Sequence, residues 1–187
     1  MGLLDHVYAV LLILGLPVYA QVFYQWLERR LGRKLPGARI GVYRAGTLVQ
    51  WLLAGIVLAR WWATGRPWAE LGLGAPAAAS AGYALLILFL AAAGAVWIWN
   101  LVTTDAAARL QVLQQLGDLD ALLPRTPRER NWAWVVSLTA GACEELLFRG
   151  FLFWWMRPLA GDYGAMALAA LSFGSCHAYQ GWRGVVK

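Results

Sequence analysis

Five long apolar stretches constrain this chain of 187 residues more than any other feature. They run approximately 4–26, 42–63, 80–102, 132–155 and 163–181. A helix needs roughly 20 mostly apolar residues to cross about 30 Å of hydrocarbon, and each stretch approaches that length. None alternates with the two-residue period of an outer-membrane barrel strand. A spanning segment must satisfy its own backbone, so the predicted fold is all-α, a polytopic bundle of about five transmembrane helices. Composition agrees: 60% of residues are hydrophobic and 14% charged, whereas soluble domains carry roughly 25% charge.

The formal charge of +6 would raise nucleic-acid binding in a soluble protein. Here the basic residues fall between the apolar runs. Arg29, Arg30, Arg33, Lys34, Arg39 and Arg44 flank the first connection. Arg109, Arg125, Arg128 and Arg130 mark the third, and Arg183 and Lys187 the tail. Those twelve alternate with only three on the other side, Arg60, Arg66 and Arg157. The positive-inside rule places the twelve in the cytoplasm and the N-terminus outside. The charge is therefore topological, and no nucleic-acid partner is expected. Met1 to Asp5 lacks the basic n-region of a cleaved signal, so the first stretch is read as a retained span.

Two features of the connections have plain explanations. In the third, Leu110, Leu113, Leu116, Leu119 and Leu122 recur every three residues, as in a short amphipathic helix on the membrane surface or packed on its own bundle. Pro124 and Pro127 end it, and the fourth span is predicted to open at Asn131. Most of the twelve tryptophans, including Trp61, Trp154 and Trp155, lie near predicted span ends, where interfacial anchoring accounts for them.

The fourth span carries Glu144, Glu145 and Arg149 inside an otherwise apolar helix. Ionisable groups at that depth cost several kcal/mol each, so they mark a wet cavity or a functional partner. Glu145 and Arg149, four apart, share a helix face and can pair. Glu144 is rotated about 100° from Glu145 and can remain free as a general base. The fifth span adds His177, which together with a carboxylate can polarise a water molecule, directly or through a metal. Gly141, Ala142, Gly174 and Ser175 are small enough to let the two helices approach closely. Cys143 and Cys176 precede motif residues and read as small apolar side chains.

These residues resemble the CAAX-protease and bacteriocin-processing enzymes, also called the Abi family, which are intramembrane glutamic endopeptidases. The Glu-Glu-x-x-x-Arg motif is matched by Glu144, Glu145 and Arg149, within Glu-Glu-Leu-Leu-Phe-Arg-Gly. The Phe-x-x-x-His motif is matched by Phe173 and His177. The resemblance covers about 123–187, a partial protease-like core behind N-terminal spans and basic loops at 1–122. It implies that Glu144 and His177 activate a water while Glu145 and Arg149 orient the site. The implied partners are the bilayer and a peptide or protein substrate, lipidated in eukaryotic members. The implied setting is a bacterial inner membrane, with the site open to the cytoplasm. No resident cofactor is expected, the alternative being zinc held by Glu144 and His177. Family members continue to a later His followed by Asn or Asp four residues on, and no such pair follows His177 here. The expectation is a truncated form of a longer protease, against a non-catalytic immunity or scaffold relative. A transporter is a weaker third reading, since repeated halves with broken helices are missing.

Overall fold

A computed structural model describes residues 1–32, 37–74, 78–107, 110–111 and 122–178. The described residues are helical, with no strand among them. Helix α1 (Leu3–Val10) runs through a π segment (Leu11–Gly15) into α2 (Leu16–Gly32). Then come α3 (Ala38–Ala63), a 3₁₀ turn (Trp68–Leu71) and α4 (Ala78–Thr104). Next, α5 (Pro127–Glu144) passes into a second π segment (Glu145–Leu152) and α6 (Phe153–Cys176). The chain forms two compact units, Met1–Leu73 with Pro124–Lys187, and Gly74–Leu123.

The first four expected stretches fall on helices, as does the fifth up to Cys176, while 179–181 lie outside the described residues. Among the described residues, Leu3–Leu27, Ala38–Ala63 and Gly82–Leu101 are long and apolar enough to cross a membrane. The fourth and fifth stretches fall on α5, the second π segment and α6, where Glu144, Glu145, Arg149 and Asp162 interrupt the apolar run. In α4 the span is apolar on every side, as suits a helix whose solvent is lipid. Leu113, Leu116 and Leu119 of the expected surface helix lie outside the described residues.

In the first unit, the core forms around the second π segment. Leu147, Phe148, Phe151 and Leu152 are buried with Leu12, Val57 and Trp61 from α1–α3. That apolar face leaves Glu145 and Arg149 exposed on the opposite one. Helix α3 packs along α5. Gly161 takes φ 67° and ψ 179°, a conformation open to glycine, and there α6 turns back. Its second half returns to the π segment, with the Phe148 and Phe173 rings 5.3 Å apart edge to face.

Three sequence readings need correction. Helix α5 opens at Pro127, not Asn131, because proline is tolerated at the first helical position and Thr126 and Glu129 form a capping box. Gly141 and Ala142 are exposed, so on the α5 side large side chains rather than small ones make the approach to α6. Trp61 is not an interfacial anchor. It is fully buried, donates to the Pro67 carbonyl at 3.0 Å and meets the Trp154 ring edge to face at 4.8 Å.

Candidate active site

Glu144 is the last residue of α5, where the helix changes to π winding. It is partly buried, and the Gln50 side chain reaches it from α3, Nε2 donating to Glu144 Oε1 at 3.5 Å. The carboxylate that the sequence left free is therefore held by a neighbouring helix. Gln50 is twelve residues beyond Ala38, about 18 Å along α3 at 1.5 Å per residue. That puts the Glu144 carboxylate near mid-depth of the spanning helix. One face of α3 thus carries a polar strip toward α5. Trp51 Nε1 also donates to Thr139 Oγ1 at 3.3 Å.

His177 caps the end of α6, its backbone N–H donating to the Gly174 carbonyl at 2.9 Å. Its ring is fixed by Phe173 twice: Nδ1 lies 3.0 Å from the Phe173 carbonyl oxygen, and the two rings stand 4.6 Å apart. A carbonyl only accepts, so the neutral ring carries its proton on Nδ1 and has Nε2 as its acceptor nitrogen. The imidazole and the Glu144 carboxylate are close enough to interact electrostatically. Cys176 is also an electrostatic neighbour of Glu144. It is a buried free thiol whose Sγ donates to the Ser172 carbonyl at 3.3 Å.

Glu145 and Arg149 form an ion pair one turn apart, on the exposed side of the π segment. Their side chains are 56% and 73% exposed. They edge a cavity of about 340 Å³ between α3, the 3₁₀ turn and the π segment, with Trp51, Leu58 and Leu71 as apolar walls. Glu144 and His177 do not line that cavity. The motif is thereby split between two places: Glu144 looks toward α3 and His177, while Glu145 and Arg149 look away.

Among the described residues, Glu144 and His177 fall short of the donor set of a catalytic zinc. Such a site takes three protein ligands, and Glu144 with His177 supplies two. Among the described residues no group of three or more His, Cys, Asp or Glu side chains could hold a metal ion.

Gln50 and Thr47 were missed in the sequence. Their signal was available: two polar side chains three residues apart on one face of an apolar span. Neither is ionisable, so neither stood out beside the charged motif.

The fold is that of a helical integral membrane protein, with Glu144 and His177 as partly buried electrostatic neighbours. Residues 128–187, about a third of the chain, match the family described as Type II CAAX prenyl endopeptidase Rce1-like. The match agrees with the resemblance read from the two motifs, and it supports an endopeptidase-like function within the membrane. No curated protein and no solved structure matches the chain.

Proposed function

We propose that this protein is an intramembrane endopeptidase in which Glu144 and His177 activate a water against a peptide bond. The observation that carries this reading is a Glu144 carboxylate held by the Gln50 amide at 3.5 Å, with an imidazole whose Nδ1 is tied to the Phe173 carbonyl as its electrostatic neighbour. In such a pair the carboxylate takes the proton of the water and the neighbouring imidazole steadies the charge as that proton moves. Glu144 takes a proton from the water as its oxygen bonds to the peptide carbonyl carbon. The proton then passes to the amide nitrogen as the C–N bond breaks, leaving a carboxylic acid and an amine. Glu145 and Arg149 hold the helix turn that carries Glu144. The substrate is a peptide or protein reaching the bilayer, a lipidated tail being the form the matched family's name points to.

A positioned general base contributes roughly 10²–10⁴-fold to rate. Glu144→Gln keeps the shape and removes the base. In proteoliposomes its turnover of a peptide that the wild type cleaves is expected to fall at least about 100-fold, with expression and folding intact. Unchanged turnover would sink the mechanism and leave a non-catalytic relative as the reading.

A further inference from the structure

Glu144 accounts for one end of the Gln50 amide and leaves the other end unexplained. Among the described residues, the buried side-chain polar atoms with no hydrogen-bond partner are Gln50 Oε1 and Thr47 Oγ1. They lie on one helix, three residues apart, and therefore on one face. Burying a polar atom without a partner costs about 1–3 kcal/mol by mutational measures, and native structures carry few such atoms. Two together on one turn of α3, one of them on the side chain that holds the Glu144 carboxylate, mark a place where something polar belongs. The amide is oriented unambiguously by chemistry: an ionised Glu144 only accepts, so Nε2 must face it and Oε1 must face elsewhere. A water seated there would have partners of complementary type, donating to Glu144 and to Gln50 Oε1 and accepting from the Thr47 hydroxyl. Three hydrogen bonds is the usual number for a buried water.

We infer that Gln50 and Thr47 are positioning residues: Gln50 orients the Glu144 carboxylate, and both side chains seat the water that Glu144 activates. The inference deepens the hydrolytic reading of the site and rests on it for the water's role. Nothing in the charged motif specifies these α3 residues. The consequence is that α3, as well as α5 and α6, contributes to the reaction.

Two readouts separate this inference from the reading beneath it. The first is kinetic. Gln50→Leu, close in size, is expected to lower kcat at least tenfold with KM within twofold of wild type. Thr47→Val should lower kcat in the same way, and Thr47→Ser should restore it. A kcat for Gln50→Leu equal to wild type in protein that cleaves its peptide overturns the inference while sparing the function. The second readout needs no turnover. The infrared carboxyl stretch of protonated Glu144 is assigned as the band lost in Glu144→Gln. It is expected to move to higher wavenumber in Gln50→Leu, through loss of a donor. It should also move in Thr47→Val, although Thr47 makes no direct hydrogen bond to Glu144, because the two share the water. A band that ignores both substitutions overturns the inference even if no peptide is cleaved. Gln50→Asn serves as the second variant if Gln50→Leu fails to fold, with the same expected band movement.

Discussion

Gly150 has no room for a side chain. A Cβ built there would stand 2.8 Å from the Leu71 carbonyl oxygen and 3.3 Å from Leu71 Cδ1. The carbonyl belongs to a 3₁₀ turn whose own hydrogen bonds fix it, Glu70 N–H to the Pro67 carbonyl and Gly72 N–H to the Ala69 carbonyl, each 3.1 Å. The turn can therefore not yield cheaply. Overpacking of this kind costs about 1–3 kcal/mol, so Gly150→Ala is expected to lower the thermal unfolding midpoint of the purified protein. Gly141→Ala, where nothing lies within 4 Å and alanine is the better helix former, should leave it unchanged or raise it. Equal midpoints for the two variants would show that the close approach is not real. The same contrast shows what the sequence could and could not say. Glu144, His177 and the Glu145–Arg149 pair were legible because charge inside an apolar run is conspicuous. The need for glycine at 150, and the lack of need at 141, depends on which loop packs where, and no local pattern records that.

At the scale of elements, the start of α5 was legible but overlooked. Thr126-Pro127-Arg128-Glu129 is a capping-box sequence with proline at the first helical position. The apolar run begins at Trp132, six residues after Thr126, and periodicity drew the boundary close to it. In the structure Glu129 N–H donates to Thr126 Oγ1 at 3.2 Å. Glu129 Oε2 in turn accepts from the Arg125 and Thr126 N–H groups at 2.8 and 3.1 Å. The Arg125 N–H is the main cause holding the Glu129 carboxyl below its ordinary value, with the Arg39 guanidinium 3.7 Å away adding to it. A carboxylate lowered on folding contributes stability that is complete above its unfolded pKa. The contribution is lost as pH falls through the lower folded value. Acidification below the ordinary carboxylate range should therefore weaken wild type more than Glu129→Gln, when unfolding is followed against pH. At neutral pH, Thr126→Ala should cost about 1 kcal/mol. Parallel pH profiles for wild type and Glu129→Gln would contradict this account. The two π segments had no comparable sequence signal, because i→i+5 winding depends on packing that composition does not encode.

At the scale of the molecule, charge separates along α3. At one end Asp5, fully buried, accepts from Arg60 Nε at 3.3 Å and from Arg66 Nη2 at 2.6 Å, and Arg66 also lies over the Trp61 and Trp154 rings. On the same sparse side Arg157 pairs with Asp162 at 2.6 Å. All three arginines of that side thus have an aspartate close by, which offsets their charge. At the other end, Arg39 meets Glu129 and Arg44 lies over Trp132 at 4.9 Å. The excess of basic residues, twelve against three in the sequence, is concentrated on this second side, and local neutralisation on the first makes the asymmetry larger than a count of arginines gives. By the positive-inside rule the Asp5 end is expected outside and the Arg39 end in the cytoplasm. The pairing could not be read from the sequence, since Asp5 and Arg66 are 61 residues apart, although the alternation of basic loops could. Single cysteines test the orientation once Cys143 and Cys176 are replaced by serine. In intact spheroplasts Ala63→Cys is expected to react with a membrane-impermeant maleimide and Asn131→Cys only after permeabilisation. The reverse pattern would invert the topology and put the twelve basic residues outside.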